Sequence, residues 1–589
     1  MDKILRALGL VVGAGTLMSV SPAPDRTYSP QLLAMLDPSA SMRSLCGGDS
    51  GNSMRSLLAA SAAVVGQPGL PTVPLYDGLG KVHFEITTSN PLAQRYFDQG
   101  LAWAYGFNHA GAIASFREAQ RLDPQCAMCF WGEAFAHGPN INAPMDPAVN
   151  ARAVGLANYI FWLARKASPQ ERALAEALLK RYSSDPKADR ALLDAAYADA
   201  MLEVAKAYPG NDDIALLAAE AAMDTRPWDY WSVDKQPNPR IAEAVKLVET
   251  VYGRNPDHPQ AAHLYIHLME NGPDPRRGEA AADKLASPLS PTSGHLVHMP
   301  AHIYLRLGRW KDSMRLNVAA ARADENWIKA TGDKGLVRYG YYPHNVHFIV
   351  SSAQMAGDAP TAMREARKLA GILDPTISAQ IAWVQAVNAA PYFTAAQFAT
   401  PGQILAMKAP DARLPYPTAM RHYARAVAYA NMRNAAALER ELASLRAIRD
   451  SGKLQPMIDQ GVPAADLLSL AESVARGRLA FARGRYGDAA RHYRAAIALE
   501  GKVPYMEPPY WYYPVQQSLG AALYRQGRYD EARNAFMAAL AQSPNSGWAL
   551  YGLAATERAQ GRRLQAAAAD AALAKAWMGN RGWLRMERL

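Results

Sequence analysis

Apolar residues recur along this 589-residue chain at helical spacing, in paired runs separated by a glycine. Alternation of apolar and polar residues, the pattern of a half-buried strand, does not extend over any length. In residues 516–544, one apolar run ends near Gly527, Tyr529 follows in the turn, and Ala532 and Ala539 lie in the second run. The glycine permits a hinge, the aromatic ring fills the turn, and the alanines let the second helix pack closely. This pattern predicts antiparallel helix pairs and an all-α fold.

The same order of residues recurs at both ends of the chain. It is repeated by Gly477, Gly484, Tyr486, Ala489, Tyr493 and Ala496, by Gly561 and Ala566, and by Gly100, Ala112, Phe116, Ala119 and Pro124. These intervals resemble the tetratricopeptide repeat (TPR) pattern over most of residues 92–577. The resemblance implies a TPR-type solenoid of helical hairpins, a right-handed superhelix whose first helices line a concave groove.

We expect N-terminal TPR-like helices over residues 92–222, a central histidine-rich block over 223–372 and C-terminal repeats over 373–589. Three insertions rich in aromatic residues or proline interrupt the stack, at 224–240, 326–343 and 500–514. Insertions of this kind either roof the binding face of a repeat protein or cap exposed repeat edges, and the sequence leaves both open. Five aromatic residues in the first two are candidate substrate contacts: Trp228, Tyr230, Trp231, Tyr341 and Tyr342.

The N-terminus resembles a secretory signal. Lys3 and Arg6 precede an apolar run from Ala7 to Val20, and small residues follow it. We expect a signal peptide over residues 1–23, a disordered or extended segment over 24–91, and a periplasmic or secreted protein. The apolar run is too short for a stable membrane span. A second signal-like run from Met54 leaves a later start open.

Composition limits the partners. The formal net charge is +10, but Lys and Arg are scattered along helical patterns and form no basic block, so we expect no nucleic-acid partner. Three cysteines are too few for a disulfide scaffold. Cys126 and Cys129 lack the following histidine that haem attachment needs. We expect them to be small buried helix residues, with a local disulfide or a soft-metal contact as alternatives.

Histidines are concentrated in the central block, where eight of the 13 lie between His258 and His347. Measured back from the hinge glycines Gly308 and Gly357, two successive repeats place histidines at equivalent positions, thirteen and ten residues before the glycine. Spacings of three and four keep side chains on one helical face. The candidates are His263, His267, Glu270, His295, His298, His302, His344 and His347. The TPR resemblance implies that they converge on the groove.

This convergence predicts a metal site, because imidazoles held together and neutral suit a cation. A proton-switched or anion-binding groove and a structural hydrogen-bond cluster are the alternatives. Imidazole with one carboxylate favours copper, iron or zinc over calcium or magnesium. Eight candidates exceed the needs of one tetrahedral ion, so two ions, or one ion with free acid–base histidines, are expected. Glu270 is a candidate ligand or general base. Pro300, between His298 and His302, predicts a kink unless it lies in the first turn of a helix.

Longer strings, among them HLYIHLMEN and GHLVHMPAHIYLRLG, resemble uncharacterised exported bacterial TPR proteins. That resemblance implies a bacterial setting and no reaction. We therefore hypothesise an exported metalloprotein acting on a small substrate, by oxidative chemistry with copper or iron and by hydrolysis with zinc. A TPR scaffold that binds a peptide, and a metal storage or delivery protein, are the alternative functions. The sequence does not indicate the oligomeric state.

Overall fold

The computed structural model describes residues 73–185, 187–232, 234–287 and 289–589. The predicted signal peptide, the second signal-like run from Met54 and most of the segment 24–91 lie outside these ranges. Within them the secondary structure is helical, and β-pairing is confined to the isolated bridges Asn140–Ala143 and Trp231–Pro237. The all-α prediction is confirmed. None of the described helices is both long and apolar enough to cross a membrane.

The N-terminal helices form antiparallel pairs, and an extended segment precedes them. Residues 73–90 contain no helix, yet Leu79, Val82, Phe84 and Ile86 are buried against the first helices. The helices are α1 (Pro91–Tyr105), α2 (His109–Leu122), α3 (Ala127–His137), α4 (Asn150–Leu163), α5 (Pro169–Leu178), α6 (Arg190–Ala207) and α7 (Asp212–Asp224).

The central block continues the stack with three hairpins whose first helices carry the histidines. Its helices are α8 (Pro239–Arg254), α9 (Pro259–Glu270), α10 (Glu279–Ala286), α11 (Gly294–His298), α12 (Pro300–Leu307), α13 (Trp310–Thr331), α14 (Tyr342–Ala356) and α15 (Ala359–Ile372). A π-helical turn, Val337–Tyr341, leads into α14. Pro300 is the first residue of α12, so the alternative to a kink within one helix, a proline in the first turn, is the one observed.

The C-terminal part holds the most regular repeats. Its helices are α16 (Pro375–Gln380), α17 (Val384–Val387), α18 (Ala390–Phe398), α19 (Pro401–Leu405), α20 (Pro415–Asn431), α21 (Ala435–Arg449), α22 (Gln455–Asp459), α23 (Ala464–Ala482), α24 (Tyr486–Glu500), α25 (Gln516–Arg525), α26 (Tyr529–Gln542), α27 (Gly547–Ala559) and α28 (Arg563–Ala576). Between α24 and α25, residues 501–515 form a non-helical strap.

The hairpins pack through aromatic rings seated on glycines. Phe536 of α26 is fully buried between Gly520 of α25 and Gly552 of α27. Phe116 of α2 lies in the same way between Gly100 and Gly132. A glycine at these positions lets the ring contact the neighbouring backbone directly, which fixes the distance between successive helices.

The last repeats fold back onto the central block. The Trp548 indole donates a hydrogen bond to the Gln354 carbonyl at 2.9 Å, and the Met578 amide donates to the Ala356 carbonyl at 2.8 Å. Gly357 ends α14 in the left-handed region, at φ 77°, where a Cβ would lie 2.1 Å from the Trp577 ring. The hinge glycine thus ends a helix and also admits a tryptophan from more than 200 residues further along the chain.

Replacing Gly552 by Ala should destabilise the protein, because the new Cβ would lie 2.2 Å from the Phe536 ring. We expect the free energy of unfolding to fall by about 1–3 kcal/mol, the usual cost of overpacking. Gly487→Ala is the control, since this exposed helical glycine has no other atom within 4 Å of the added Cβ. Urea denaturation of both variants measures the difference. Equal stability of the two would contradict the packing role of Gly552.

Candidate metal centre

Four central helices carry the eight predicted ligands into the interior of the stack. His263, His267 and Glu270 lie on α9, while His295 and His298 lie on α11. The remaining three are His302 on α12 and His344 and His347 on α14. The six ligands on α9, α11 and α12 are each at most 5% exposed, whereas His344 and His347 on α14 are half-buried. The stripe predicted from the hinge glycines therefore faces inward.

Three histidines form a first group, here called site I. His263, His267 and His295 each place a ring nitrogen within 4.8 Å of the other two. The Nε2 atoms of His263 and His295 are 3.1 Å apart. Phe107 covers the group, with its ring centroid 4.7 Å from His263 and 5.3 Å from His295.

In two of the three histidines of site I, the Nδ1 atom faces an acceptor oxygen of the protein. His263 Nδ1 lies 2.9 Å from Gln260 Oε1, and the same amide donates to Glu220 Oε2, which orients its oxygen toward the histidine. His267 Nδ1 lies 2.8 Å from Glu270 Oε1. His267 Nε2 and His295 Nδ1 are buried without a hydrogen-bond partner.

A second group, site II, consists of His298, His302 and His344, whose ring nitrogens also lie within 4.8 Å of one another. The Nε2 atoms of His298 and His302 are 2.8 Å apart. His298 Nδ1 lies 2.6 Å from Asn317 Oδ1, and the Asn317 amide nitrogen donates to the Ser313 carbonyl. Phe348 packs against all three rings, with centroids 4.7–4.9 Å away.

Two carboxylates meet the other nitrogen of His302. Glu507 Oε2 accepts a hydrogen bond from His302 Nδ1 at 2.7 Å, and Glu270 Oε2 lies 2.8 Å from the same atom without hydrogen-bond geometry. Burial lowers the pKa of His302, but the Glu270 charge, and then Glu507, raise it to about 10. Glu270 stays ionised, because the charges of His302 and His267 overcome its burial and hold its pKa at about 2.

Glu507 was not among the predicted ligands. It lies 205 residues from its partner His302, in the strap, where the Tyr505 hydroxyl donates to its other oxygen. The Arg306 guanidinium donates to the Glu270 carbonyl, and the Tyr505 oxygen lies 3.3 Å from the same carbonyl, so the strap packs against the end of α9. The insertion at 500–514 therefore covers the histidine cluster. This agrees with the expectation that an insertion roofs one face of the stack.

The other two insertions each place one aromatic ring against site I. Trp228 contacts the His267 ring edge-on, with centroids 5.2 Å apart, and Tyr341 stacks on His295 at 4.7 Å. Tyr230 is buried in the core of the central block. Trp231 donates from its indole to the Leu268 carbonyl, and Tyr342 donates to Glu325 Oε1 on α13. Trp228 and Tyr341 are therefore the two candidate aromatic residues that contact a histidine of the cluster.

His347 is set apart from the two groups. It lines a cavity beside site II together with His344, Glu507 and Ser351, and its ring nitrogens do not fall within either three-histidine group. Burial lowers its pKa to about 4.

Cys126 and Cys129 are joined by a disulfide at the start of α3. They are fully buried, as expected. The favoured expectation of two unlinked helix residues was wrong, and the alternative of a local disulfide is the one observed. The spacing of three brings the two sulfur atoms together because Cys126 caps the helix and is not part of it.

The stacked hairpins define the class: this is a helical-repeat protein with a histidine-lined interior. Residues 515–546 match the family model described as tetratricopeptide repeat. The predicted resemblance to tetratricopeptide repeats is therefore confirmed over this segment of the chain.

Solved structures that resemble the chain include the human IFIT1 dimer with PPP-AAAA, at 12% identity and a TM-score of 0.29, covering 90% of this chain and 96% of that one. The Cut9–Hcn1 hetero-tetramer of APC/C is 12% identical with a TM-score of 0.27, covering 82% and 90%. Yeast Tom70 is 13% identical with a TM-score of 0.23, covering 82% and 96%. Likeness this low transfers no function. No curated protein matches the sequence.

The cluster should make the metal-free protein sensitive to acid. Burial lowers the pKa of six histidines, namely His263, His267, His295, His298, His344 and His347. Below pH 6.5 the unfolded chain binds protons that the folded protein does not, so stability falls as the pH falls. His302 does not oppose this slope, because its raised pKa contributes stability that is fully present below pH 6.5 and is lost only as the pH rises from 6.5 to about 10.

Replacing His347 by Gln should reduce this slope. Between pH 6.5 and 4 we expect the free energy of unfolding of the metal-free variant to depend less steeply on pH, by up to about 1.4 kcal/mol per pH unit. Denaturant titrations across this range provide the measurement, and His422→Gln, outside the cluster, is the control. An unchanged slope in the His347 variant would contradict the neutral, buried state assigned to this ring.

Proposed function

We propose that this chain is an exported TPR metalloprotein that holds two transition-metal ions, one in each three-histidine site. The observation that carries the proposal is the arrangement of nitrogen atoms in site I. His263 and His267 commit their Nδ1 atoms to Gln260 and Glu270, so their Nε2 atoms carry the free lone pairs. These lone pairs and a nitrogen of His295 meet in one buried space.

The distances agree with a shared ion. Two nitrogens bound tetrahedrally at about 2.0–2.1 Å from zinc lie about 3.3 Å apart. The Nε2 atoms of His263 and His295 are 3.1 Å apart, close to that value. A metal would also satisfy the unpartnered His267 Nε2, a buried polar atom that otherwise costs about 1–3 kcal/mol.

A metal-free explanation accounts for part of the geometry. If His302 is protonated between its two carboxylates, its Nε2–H donates to His298 Nε2, which explains the 2.8 Å distance in site II. In site I, however, burial and neighbouring histidines lower the pKa of both His263 and His295. A proton shared by that pair would still leave His267 Nε2 without a partner. Site I is therefore the stronger argument for metal.

The donor set narrows the ion to copper, zinc or iron. Each site offers three imidazoles, and calcium and magnesium prefer oxygen ligands. Three protein ligands leave one position of a tetrahedral ion open, which is typical of catalytic metal sites. With copper or iron the reaction would be oxidative, and with zinc it would be hydrolytic.

The geometry suggests a particular role for the carboxylates. Glu270 and Glu507 contact Nδ1 atoms at hydrogen-bond distances of 2.7–2.8 Å. A carboxylate that accepts from the outer nitrogen of a ligating histidine fixes its orientation and raises its basicity. We therefore propose that Glu270 orients His267, and Glu507 orients His302, and that Glu270 is neither a ligand nor a general base.

The TPR fold is typical of protein-interaction scaffolds, which is the alternative function. In the central block the strap and the rings of the cluster fill the face that would hold a peptide. This filling favours a small-molecule ligand over an extended peptide there. The same enclosure would suit metal storage or delivery, and the open coordination position favours catalysis over both.

Export remains a proposal based on the N-terminal sequence. The Cys126–Cys129 disulfide supports it, because disulfides persist in the oxidising periplasm or outside the cell. Sequencing the N-terminus of the mature protein tests both the cleavage and the position of the start.

Elemental analysis of protein purified without an affinity tag should find about two equivalents of transition metal per chain, one for each site. The double variants His263→Ala/His295→Ala and His298→Ala/His302→Ala should each lose about one equivalent and keep their helical content by circular dichroism. His422→Ala/His492→Ala, outside the cluster, is the matched control. A wild type that contains no metal and takes up none of zinc, copper or iron would refute the proposal.

Replacing Glu270 by Gln separates an orienting role from a ligand role. We expect metal affinity to fall about 10–100-fold with the stoichiometry at saturation unchanged, as for other outer carboxylates. Competition with a coloured chelator measures the affinity, and elemental analysis of the saturated protein measures the stoichiometry. Loss of a whole equivalent would show that Glu270 is a ligand.

A further inference from the structure

A small cavity lies against site II on the side where the cluster is least buried. Its lining includes His344, the half-buried ligand of site II, and Glu507, the acceptor of His302 Nδ1. At site I, Phe107, Trp228 and Tyr341 cover the rings, and the cavity that borders His295 measures only about 10 Å³. The two sites therefore differ in access.

The volume of the cavity limits what it can hold. It measures about 50 Å³. One water needs about 10–15 Å³, and a cavity of about 150 Å³ is known to hold benzene. The space beside His344 therefore accommodates a molecule of a few heavy atoms and excludes a ring.

The walls are mainly apolar and aromatic. Trp383, Phe393, Tyr510 and Tyr512 contribute rings, and Val384 and Val387 contribute aliphatic surface. The strap closes the cavity with Met506 and two prolines. The polar groups are few and include His347, Ser351 and Gln354. An apolar chamber with few polar groups favours a small molecule that is held chiefly through the metal.

We infer that site II is the reactive ion, and that its open position takes a ligand of two to four heavy atoms, of the size of dioxygen or peroxide, through this cavity. The inference rests on the proposed function, since it requires a metal in site II. Site I, enclosed by aromatic rings, would then hold an ion without access to substrate.

Azide is a suitable probe, because it has three heavy atoms and gives an absorption band when it binds copper(II). The protein is loaded with copper(II), its copper content is measured, and azide is titrated while the band is followed. Ala386→Leu fills the cavity from its wall without removing a ligand. Ala555→Leu places the same side chain at another half-buried helical alanine and is the control.

We expect wild type and Ala555→Leu to bind azide with equal affinity, and Ala386→Leu to bind it at least tenfold more weakly with an unchanged copper content. If Ala386→Leu binds azide as the wild type does, the open position does not face the cavity and the inference is wrong. Binding of 4-methylimidazole as tight as that of azide would also overturn it, because a ring should not fit. Failure to take up copper, zinc or iron at all would instead refute the metal centre itself.

Discussion

The convergence of imidazole nitrogens in a closed interior is the constraint on which the central block depends. Burial disfavours the charged form of every ring, and six of the seven are held neutral by it; His302 is the exception, because Glu270 and Glu507 raise its pKa. Rings in that arrangement would repel if they were protonated, and the hairpin packing must overcome this tendency whenever no cation is present. The aromatic residues Phe107 and Phe348 separate the rings from water and set their positions.

The repeat architecture brings these histidines together with few elements. Successive first helices present equivalent positions to the same side, so one stripe on each helix is sufficient to build a cluster from three hairpins. Enclosure comes from elements outside the hairpins. The strap delivers Glu507, the fold-back of the last repeats onto Gly357 holds the C-terminal part against α14, and the extended N-terminal segment bonds to Ser290 and Thr292 just before α11.

Sequence periodicity was informative where the structure is periodic. The intervals from Gly308 and Gly357 predicted that His295, His298, His302 and His344 share an interior, because helical register is a local property. Glu507 could not be found this way, since it lies in a non-helical strap and reaches His302 through tertiary packing alone. The same limit applied to Gln260 and Asn317, whose role depends on the rotamers of neighbouring side chains. Tyr230 and Tyr342 were predicted as substrate contacts but lie away from the cluster. An insertion rich in aromatic residues indicates that rings are packed there, but its composition does not tell which ring faces the site.

The outer contacts of the two sites follow one design. Each has one histidine backed by a neutral amide, His263 by Gln260 and His298 by Asn317. Each has a second histidine backed by a carboxylate, Glu270 or Glu507. The third ring in each site lacks such an acceptor among its observed contacts: His295 is stacked on Tyr341, and His344 borders the cavity.

Glu270 contacts His267 of one site and His302 of the other, so a cation in either site would interact with the same buried charge. Because Glu270 contacts a histidine of each site, a change of charge in one site is felt in the other through this carboxylate.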